Sequence, residues 1–356
     1  MKYYCGNPGR SSHKMSLYAA EKIYECRTLL SEFINSKLPE NVVFTLNTTY
    51  ALNIAIKAVL KHGDHVIVGN AEHNSVLRPL YALKKTHGIS ISKVNVFADG
   101  DETVSKISSL ITPRTRAVIF SHAGNVIPYV LPAEKIGALC RRFGIFFILD
   151  CAQSAGVYDI DMEGAHVDAV CLPSHKGLLG IQGAGAVCFS DLAASSFLKT
   201  FAEGGNGTSS FDASMPDFLP ERFEAGTLPT PAIASLHEGI KYVRSLGTEN
   251  IRQANKTLCS ELCCRLSSLK NVTVYNGERM GSTVVFNVSG LSSEDVASSL
   301  SDRGICVRGG FHCCPDVHRF LNTENTGAVR ASFSVFNTKN DVDALYTAVR
   351  SISENI

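Results

Sequence analysis

The sequence predicts an α/β fold in which a large domain with a mostly parallel sheet is followed by a smaller α+β domain. Seven short β-branched or aromatic runs alternate with helical patterns in the first two thirds of the 356-residue chain. Most of these runs are apolar throughout, which is typical of parallel strands buried on both faces. They are Val42–Thr45, His65–Val68, Val94–Phe97, Ala117–Ser121, Phe146–Asp150, Ala169–Leu172 and Ala186–Phe189.

The hydrophobic pattern changes near residue 235, so we predict domains at residues 1–235 and 236–356. A long helical stretch opens the second domain. We predict that strands at Thr283–Val288, Ile305–Arg308 and Val329–Phe336 and helices at Ser293–Arg303 and from about Asp341 follow it. The Gly- and Ser-rich span Glu203–Asp217 is expected to be a mobile loop.

The composition excludes several classes of function. The formal net charge is only +1, and the sequence has no long Lys/Arg run that would bind nucleic acid or an anionic membrane. We therefore expect a small-molecule partner. No apolar stretch reaches the roughly 20 residues of a membrane span, and the first residues lack a signal-peptide core. We therefore expect a cytoplasmic protein with twelve reduced cysteines. Cys259 and Cys263 share a helix face, but no second Cys/His pair follows at zinc-site spacing, so no metal site is expected.

Two strand ends carry the most informative side chains. Asp150 closes one apolar run, and Lys176 follows the next run, just before a glycine-rich loop. Ligands of a parallel sheet bind beyond the carboxyl ends of its strands. Pyridoxal 5'-phosphate (PLP) needs a lysine amine for its Schiff base and an acid opposite its pyridine nitrogen. Either residue alone is better explained as a helix cap or a solvated loop lysine, but together with the segments below they indicate PLP.

A phosphate site is predicted where the first strand passes into a helix. Leu52, Ile56 and Val59 form an apolar helical stripe, and Thr48 and Thr49 stand at its start. Backbone amides and hydroxyls at a helix N-terminus bind phosphate well. A threonine acting as an ordinary N-cap explains this segment as well, and the candidate lysine at the same sheet edge favours the phosphate site.

In its motifs the chain resembles the class V aminotransferase family of fold-type I PLP enzymes, and within it the group II cysteine desulfurases and selenocysteine lyases. Matching segments follow the family's order from near the first residue to near the last, and their combination is specific although no single segment is. They are Asn7–His13, Thr45–Asn53, Glu72–Ser75, Ser121–Pro128, Leu149–Gly156, Ser174–Gly185, Arg222–Thr227, Val307–Cys314 and Val329–Phe333.

The resemblance implies roles in cofactor binding. Lys176 would bind PLP covalently and move protons at the substrate carbon, and Asp150 would pair with the pyridine nitrogen. Gln153 would hydrogen-bond the ring oxygen, and His73 would stack on the ring and serve as acid or base. The implied phosphate ligands are Thr48, Thr49, Ser174 and His175, with Thr208 as an alternative to Ser174 because Pro173 replaces a serine that many relatives carry.

The resemblance also implies a dimer and a substrate. Thr227 would reach the phosphate of the other subunit, which implies a homodimer with shared active sites. Asn125, which would also line the cofactor site, and Arg330 would hold the substrate carboxylate. The forked guanidinium of an arginine is suited to that task.

Cys313 favours one reaction among those of the family. It lies five residues after Arg308, at the position of the sulfur-accepting cysteine in the family's Arg-x-Gly-His-His-Cys-Ala pattern. The resemblance therefore implies a cysteine desulfurase that converts L-cysteine to L-alanine and holds the sulfur on Cys313 as a persulfide. A sulfur-acceptor protein would take it, in iron–sulfur cluster assembly or another pathway. The glycine-rich flanks are expected to let the thiol move.

Other functions stay open at this point. They are a selenocysteine lyase, another class V lyase, aminotransferase or epimerase, and a weakly active protein that binds a sulfur-trafficking partner. The last is suggested because the family's Asp-Asn-Ala-Ala-Thr-like strand does not precede Asn7. Phe311 replaces the first histidine of the acceptor pattern. Cys314 replaces its alanine, and we expect it to be a bystander rather than a relay thiol or a second acceptor.

Overall fold

The structure is a computed structural model that describes residues 5–9, 12–97, 99–196 and 199–354. Arg10 and Ser11, from the first matching motif, lie outside the described residues. The chain divides into two compact units. Unit 1 comprises Met1–Gly69, Ser75–His122 and Leu131–Gly247, and unit 2 comprises Asn70–Asn74, Ala123–Val130 and Thr248–Ile356. Two short segments from the first half of the chain thus belong with its C-terminal part.

Unit 1 is built on a seven-stranded sheet. Its strands are β1 (Val42–Thr45), β2 (His65–Gly69), β3 (Ser90–Val94), β4 (Thr115–Ser121), β5 (Phe146–Asp150), β6 (Ala169–Pro173) and β7 (Gly185–Phe189). They lie in the order β1-β7-β6-β5-β4-β2-β3. The strand β7 is antiparallel to both of its neighbours, and the other four pairs are parallel. The predicted mostly parallel sheet is confirmed.

Helices cover the sheet of unit 1, and α2 contributes most to its core. The helices up to Gly247 are α1 (Lys14–Phe33), α2 (Thr48–Val59), α3 (Asn74–His87), α4 (Gly100–Leu110), α5 (Ala133–Phe143), α6 (Asp191–Ala194) and α7 (Thr230–Leu246). Leu52 and Ile56 of α2 are fully buried in a cluster with Val66, Ile119 and Ile148 from the strands. This apolar contact holds the start of α2 at a fixed place on the sheet.

A buried ion pair ties the segment that leads to Thr227 to the same sheet. Arg27 of α1 and Glu224 form a hydrogen-bonded ion pair in which both side chains are 7% exposed. Glu224 also accepts a hydrogen bond of 2.6 Å from the N–H of Phe44 in β1. Burial raises the pKa of Glu224, and the charge of Arg27 opposes that rise. Removing either partner would leave an uncompensated buried charge, so the segment is firmly fixed.

Unit 2 is an α+β unit with a three-stranded antiparallel sheet in the order β10-β9-β8. Its elements are α8 (Thr248–Ser267), β8 (Val272–Val274), β9 (Thr283–Val288), α9 (Ser293–Ser301), α10 (Pro315–Phe320), β10 (Val329–Ser332) and α11 (Lys339–Glu354). Its core joins Leu262 of α8, Phe286 of β9, Val329 of β10 and Val349 of α11, all fully buried. This confirms the smaller α+β part of the predicted fold.

Two predicted strands are wrong. The edge strand β3 is Ser90–Val94 instead of Val94–Phe97, and it exposes Ser90 and Lys93, so it lacks the continuous apolar pattern of a buried strand. The chain turns after β3, where the N–H of Phe97 donates to the side chain of Asn95 at 3.1 Å. Ile305–Arg308 forms no strand, and Arg308 makes an isolated bridge with Arg330.

No helix in the described part of the chain is both long and apolar enough to cross a membrane. Within the same residues, no group of three or more His, Cys, Asp and Glu side chains could hold a metal ion.

Candidate active site

Asp150 lies at the carboxyl end of β5 in the middle of the sheet of unit 1. It pairs in register with Ser121 of β4 and Cys171 of β6, and its carboxylate accepts a 2.9 Å hydrogen bond from the N–H of Ala152. The residue is 4% exposed. Burial raises the pKa of Asp150, and the N–H of Ala152 and the charge of Lys176 lower it. A buried carboxylate of this kind is completed by a positively charged partner.

The loop after β6 carries Lys176 and packs on the turn after β5. A Cβ built on Gly177 would lie 2.3 Å from the carbonyl oxygen of Ala155, so only glycine fits there. Gln153 lies half-buried in that turn, and Lys176 is exposed. The electrostatic effect of Lys176 on Asp150 shows that the two predicted PLP residues share one region of unit 1. Asp150 is buried, whereas Lys176 lies exposed on its loop.

The N-cap of α2 is neither Thr48 nor Thr49. Asn47 is the N-cap, because its side chain accepts the N–H of Tyr50 at 3.2 Å, and Thr48 is the first helical residue. A threonine N-cap is therefore wrong. Thr48 is 8% exposed, and its Oγ1 has no hydrogen-bond partner among the described residues. Thr49 is exposed. Helix N-terminal N–H groups and an unpaired hydroxyl together suit a phosphate.

Glycine at position 185 brings the end of β6 close to this helix start. A Cβ on Gly185 would lie 2.8 Å from the carbonyl carbon of Asn47, and Gly185 pairs in register with Pro173. The next residue, Ser174, is fully buried, and its Oγ also has no hydrogen-bond partner among the described residues. His175 follows it, and burial together with the charge of Lys176 lowers the pKa of His175. Two unpaired buried hydroxyls thus lie on adjoining segments, which fits the phosphate of PLP.

Thr208 and Thr227 have different surroundings. The hydroxyl of Thr208 already donates to Asn206 at 3.1 Å, so it is a weaker candidate for a phosphate ligand than Ser174. Thr227 is exposed and lines a cavity of about 310 Å³ together with Arg27, Asn206 and Glu224.

Asn125 and Arg330 are in direct contact in unit 2. Arg330 Nη1 donates to the Oδ1 of Asn125 at 2.6 Å and to its carbonyl oxygen at 2.8 Å. Asn125 lies in a tight turn that requires Gly124, because a Cβ on Gly124 would lie 1.9 Å from the carbonyl oxygen of Ile127. The Nε of Arg330 is buried and has no hydrogen-bond partner among the described residues. Burial and the nearby charge of Arg308 lower the pKa of Arg330, because both disfavour its charged form.

Cys313 lies in a loop that several hydrogen bonds fix within unit 2. Both His312 and Cys313 have left-handed backbone angles, with φ of 51° and 58°. The N–H of Asn74 donates to the carbonyl oxygen of Cys313 at 2.8 Å. Asn74 directly follows His73, so the histidine motif also lies next to this loop. Arg308 Nη2 lies 3.9 Å from the Sγ of the half-buried Cys313.

The glycines before Cys313 serve close packing. A Cβ on Gly309 would lie 2.5 Å from the carbonyl oxygen of Ser293, and Gly310 has a φ of 97°. Gly310 N–H donates to the hydroxyl of Ser293 at 3.1 Å. Close packing therefore requires glycine at position 309, and the positive φ favours it at position 310. Phe311, at the position of the family's histidine, is 47% exposed.

The sequence did not reveal the residues that anchor this loop. His312 is 1% exposed and its Nε2 lies 2.9 Å from the carbonyl oxygen of Ala328, and Asn125 donates to the carbonyl oxygen of His312 at 2.8 Å. These contacts join segments that are far apart in the chain. No local pattern in the sequence signals them.

The mostly parallel seven-stranded sheet of unit 1 is that of an α/β enzyme. The chain belongs to the aminotransferase class-V family, whose model matches residues 1–345. The resemblance found in the motifs is therefore confirmed.

Several similar proteins and solved structures are cysteine desulfurases by name. A probable cysteine desulfurase of Methanothermobacter thermautotrophicus is 30% identical over 359 residues, covering 99% of this chain and 89% of the relative. The apo structure of a cysteine desulfurase from Thermococcus onnurineus NA1 matches with a TM-score of 0.88 and 28% identity, covering 99% of this chain and 89% of that chain. A solved mutant with glycine covalently linked to its PLP cofactor shares the fold, with a TM-score of 0.81 and 21% identity over 96% of this chain and 88% of that chain.

Proposed function

We propose that the protein is a PLP-dependent cysteine desulfurase that converts L-cysteine to L-alanine and forms a persulfide on Cys313. The observation that carries this proposal is the loop of unit 2 in which Cys313 Sγ lies 3.9 Å from Arg308 Nη2. The Asn125–Arg330 pair in the same unit supports it. The names of the relatives agree with this activity.

Most of the residues that would hold PLP belong to unit 1. Thr48, Ser174 and the start of α2 suit its phosphate, since buried hydroxyls without partners gain hydrogen bonds from it. Asp150 would pair with the protonated ring nitrogen, and Lys176 Nζ would bind the aldehyde carbon. When bound, PLP supplies an electron-withdrawing ring that stabilises negative charge at the substrate Cα and weakens the bond between Cβ and sulfur. Thr49, Gln153, His175 and His73 are the further cofactor ligands that the family pattern implies.

Arg330 would bind the carboxylate of the substrate. Its buried Nε lacks a partner, and Arg308 adds a second positive charge nearby. A carboxylate accepts hydrogen bonds from a guanidinium in a fixed geometry, which orients the amino acid. Asn125 holds the other side of that guanidinium.

The sulfur step uses the Cys313 thiolate as nucleophile. The bond between substrate Cβ and sulfur breaks, a bond between that sulfur and Cys313 Sγ forms, and a proton ends on Cβ. L-cysteine and the Cys313 thiol thus give L-alanine and the Cys313 persulfide, with no external oxidant or reductant. Lys176 Nζ would take the proton from Cα, and His73 is a candidate acid or base.

We also propose a cytoplasmic homodimer in which Thr227 reaches the partner's phosphate site. The side chains of Met15, Leu17, Tyr18 and Tyr24 on α1 are each about half exposed, which is unusual for large apolar groups and suits a subunit interface. A reducing compartment suits a protein whose twelve cysteines are all free. Light scattering after size exclusion should give twice the mass of the 38.4 kDa chain.

The first experiment measures L-alanine formed from L-cysteine by the PLP-loaded protein with a dithiol reductant present. Equal amounts of L-alanine and sulfide are expected, with both lost in Lys176→Ala. Cys313→Ala should keep the absorbance band of lysine-bound PLP but form no persulfide. A wild-type protein that binds PLP and releases no alanine from L-cysteine would disprove the proposal.

Two controls separate the remaining functions. Activity of Cys313→Ala on L-selenocysteine but not on L-cysteine would indicate a selenocysteine lyase. A protein that stays colourless and takes up no PLP would indicate a partner-binding role instead.

A further inference from the structure

The amide of Asn125 has a hydrogen-bond partner on every side. Its Oδ1 accepts from Arg330 Nη1 at 2.6 Å. Its Nδ2 donates to the carbonyl oxygen of His312 at 2.8 Å and to the Sγ of Cys314 at 3.1 Å. One side chain therefore joins the candidate carboxylate-binding arginine to the loop that carries Cys313.

The orientation of this amide follows from chemistry alone. A guanidinium only donates hydrogen bonds and a backbone carbonyl only accepts them, so Oδ1 must face Arg330 and Nδ2 must face His312. The second N–H of Nδ2 then points at Cys314, whose sulfur must accept. A flipped amide would place two donors against each other at Arg330.

Cys314 is unsuited to a nucleophilic role. It is 1% exposed, whereas Cys313 next to it is half-buried. Burial raises the pKa of Cys314 to about 12, while the hydrogen bond from Asn125 lowers it only in part. At neutral pH it is a thiol, and a buried thiol is inert toward sulfur transfer.

We infer that Cys314 is a positioning residue for substrate binding: its Sγ holds the amide of Asn125, which in turn holds the guanidinium of Arg330. The inference rests on the proposed function, in which Arg330 binds the carboxylate of L-cysteine. The family's acceptor pattern has alanine at this position, which cannot accept a hydrogen bond. This chain therefore adds a third fixed contact to the amide that links the carboxylate site to the Cys313 loop.

The test compares Cys314→Ala, which removes the acceptor, with Cys314→Ser, which keeps one. We expect Cys314→Ala to raise KM for L-cysteine about threefold to tenfold, the effect of one lost hydrogen bond, with kcat almost unchanged. Cys314→Ser should restore KM to near the wild-type value. Cys264→Ala, at an exposed cysteine of α8, is the matched control and should change neither constant.

A second readout does not depend on turnover. Loss of the acceptor loosens Asn125 and with it the carbonyl oxygen of His312, so iodoacetamide should alkylate Cys313 about threefold faster in Cys314→Ala than in Cys314→Ser. Peptide mass spectrometry identifies the alkylated cysteine. The family's alanine at this position indicates that the Cys314→Ala chain folds.

The outcomes are distinguishable. If the wild type makes no alanine, the proposed function fails, and the alkylation rates alone decide whether Cys314 positions the loop. If the wild type is active and Cys314→Ala matches it in KM and in alkylation, the inference is wrong. If Cys314→Ser is as impaired as Cys314→Ala and the wild-type persulfide resides on Cys314, the residue is a sulfur relay, which also overturns the inference.

Discussion

Gly156 and Gly177 cross so closely that a Cβ on Gly156 would lie 2.1 Å from the carbonyl oxygen of Gly177. Gly156 ends the turn that follows Asp150, and Gly177 follows Lys176. Gly156 also has a φ of 86°, which a side chain would strain. The two candidate PLP residues therefore share a region because two backbones meet without side chains between them.

Gly177→Ala should separate these two segments. We expect PLP to bind at least about tenfold more weakly and the free energy of unfolding to fall by about 1–3 kcal/mol, because the added methyl group overlaps the carbonyl oxygen of Ala155. Absorbance titration with PLP and urea denaturation measure the two effects. Gly205→Ala is the control, since a Cβ there meets nothing within 4 Å. Unchanged PLP affinity in Gly177→Ala would show that the crossing does not position Lys176.

Asp150→Asn should affect cofactor binding and stability in opposite directions. Burial raises the pKa of Asp150 in the folded protein, so the native state binds more protons than the unfolded state between the two pKa values. The wild type therefore loses stability as pH rises through that range, and the loss is complete above it. Asparagine keeps the Oδ1 that accepts from Ala152 but never ionises.

The cofactor-free Asp150→Asn variant should melt at a higher temperature than the wild type at pH 8. The difference should shrink as pH falls toward about 4, the ordinary range of an aspartate. PLP affinity should nevertheless drop about tenfold or more, because the protonated ring nitrogen loses its anionic partner. Calorimetry across pH and PLP titration check both effects. A lower melting temperature at pH 8 would mean that Asp150 is paired and stabilising without cofactor.

The strands of unit 1 could be predicted where both faces are buried. The bounds of β1 and β5 match the apolar runs to the residue, since every position in them is buried. The edge strand β3 could not be predicted, because its serines and Lys93 are partly or fully exposed. Burial on both faces, rather than strand propensity, produced the continuous apolar runs from which the strands could be predicted.

The candidate site, too, could be predicted from the sequence only in part. Asp150 and Lys176 could be found because Asp150 ends β5 and Lys176 shortly follows β6, and parallel strands bring such ends together. The bond from Asn125 to Cys314 spans 189 positions of the chain and is made by an amide and a thiol with no distinctive local context. Only the folded unit 2 reveals it. Likewise, a threonine N-cap was one interpretation of the start of α2, and the structure assigns the cap to Asn47.

Ser174→Ala should weaken PLP binding without lowering the stability of the cofactor-free protein. Ser174 Oγ is buried and has no hydrogen-bond partner in the described part of the chain, so its removal should leave the cofactor-free protein equally or slightly more stable. PLP affinity should fall about threefold to tenfold with the lost phosphate hydrogen bond. Ser190→Ala is the matched control. Its hydroxyl caps α6 and donates to Asp168 at 2.9 Å, so that variant should lose about 1 kcal/mol of stability with PLP affinity unchanged. Destabilisation of cofactor-free Ser174→Ala would assign Ser174 to the core instead.

Arg330→Lys should weaken substrate binding without affecting PLP. The Nη1 of Arg330 bonds both oxygens of Asn125, and its Nε is left for the carboxylate, an arrangement that a single ammonium cannot reproduce. We expect KM for L-cysteine to rise about tenfold to a hundredfold, the range for a lost hydrogen bond to a charged group, with an unchanged PLP absorbance band. Arg319→Lys, which alters an exposed ion pair with Asp316 in the same unit, should leave KM unchanged. A fall in kcat at constant KM would instead mean that Arg330 acts on the reacting state through the Cys313 loop, because binding of the ground state would then be intact.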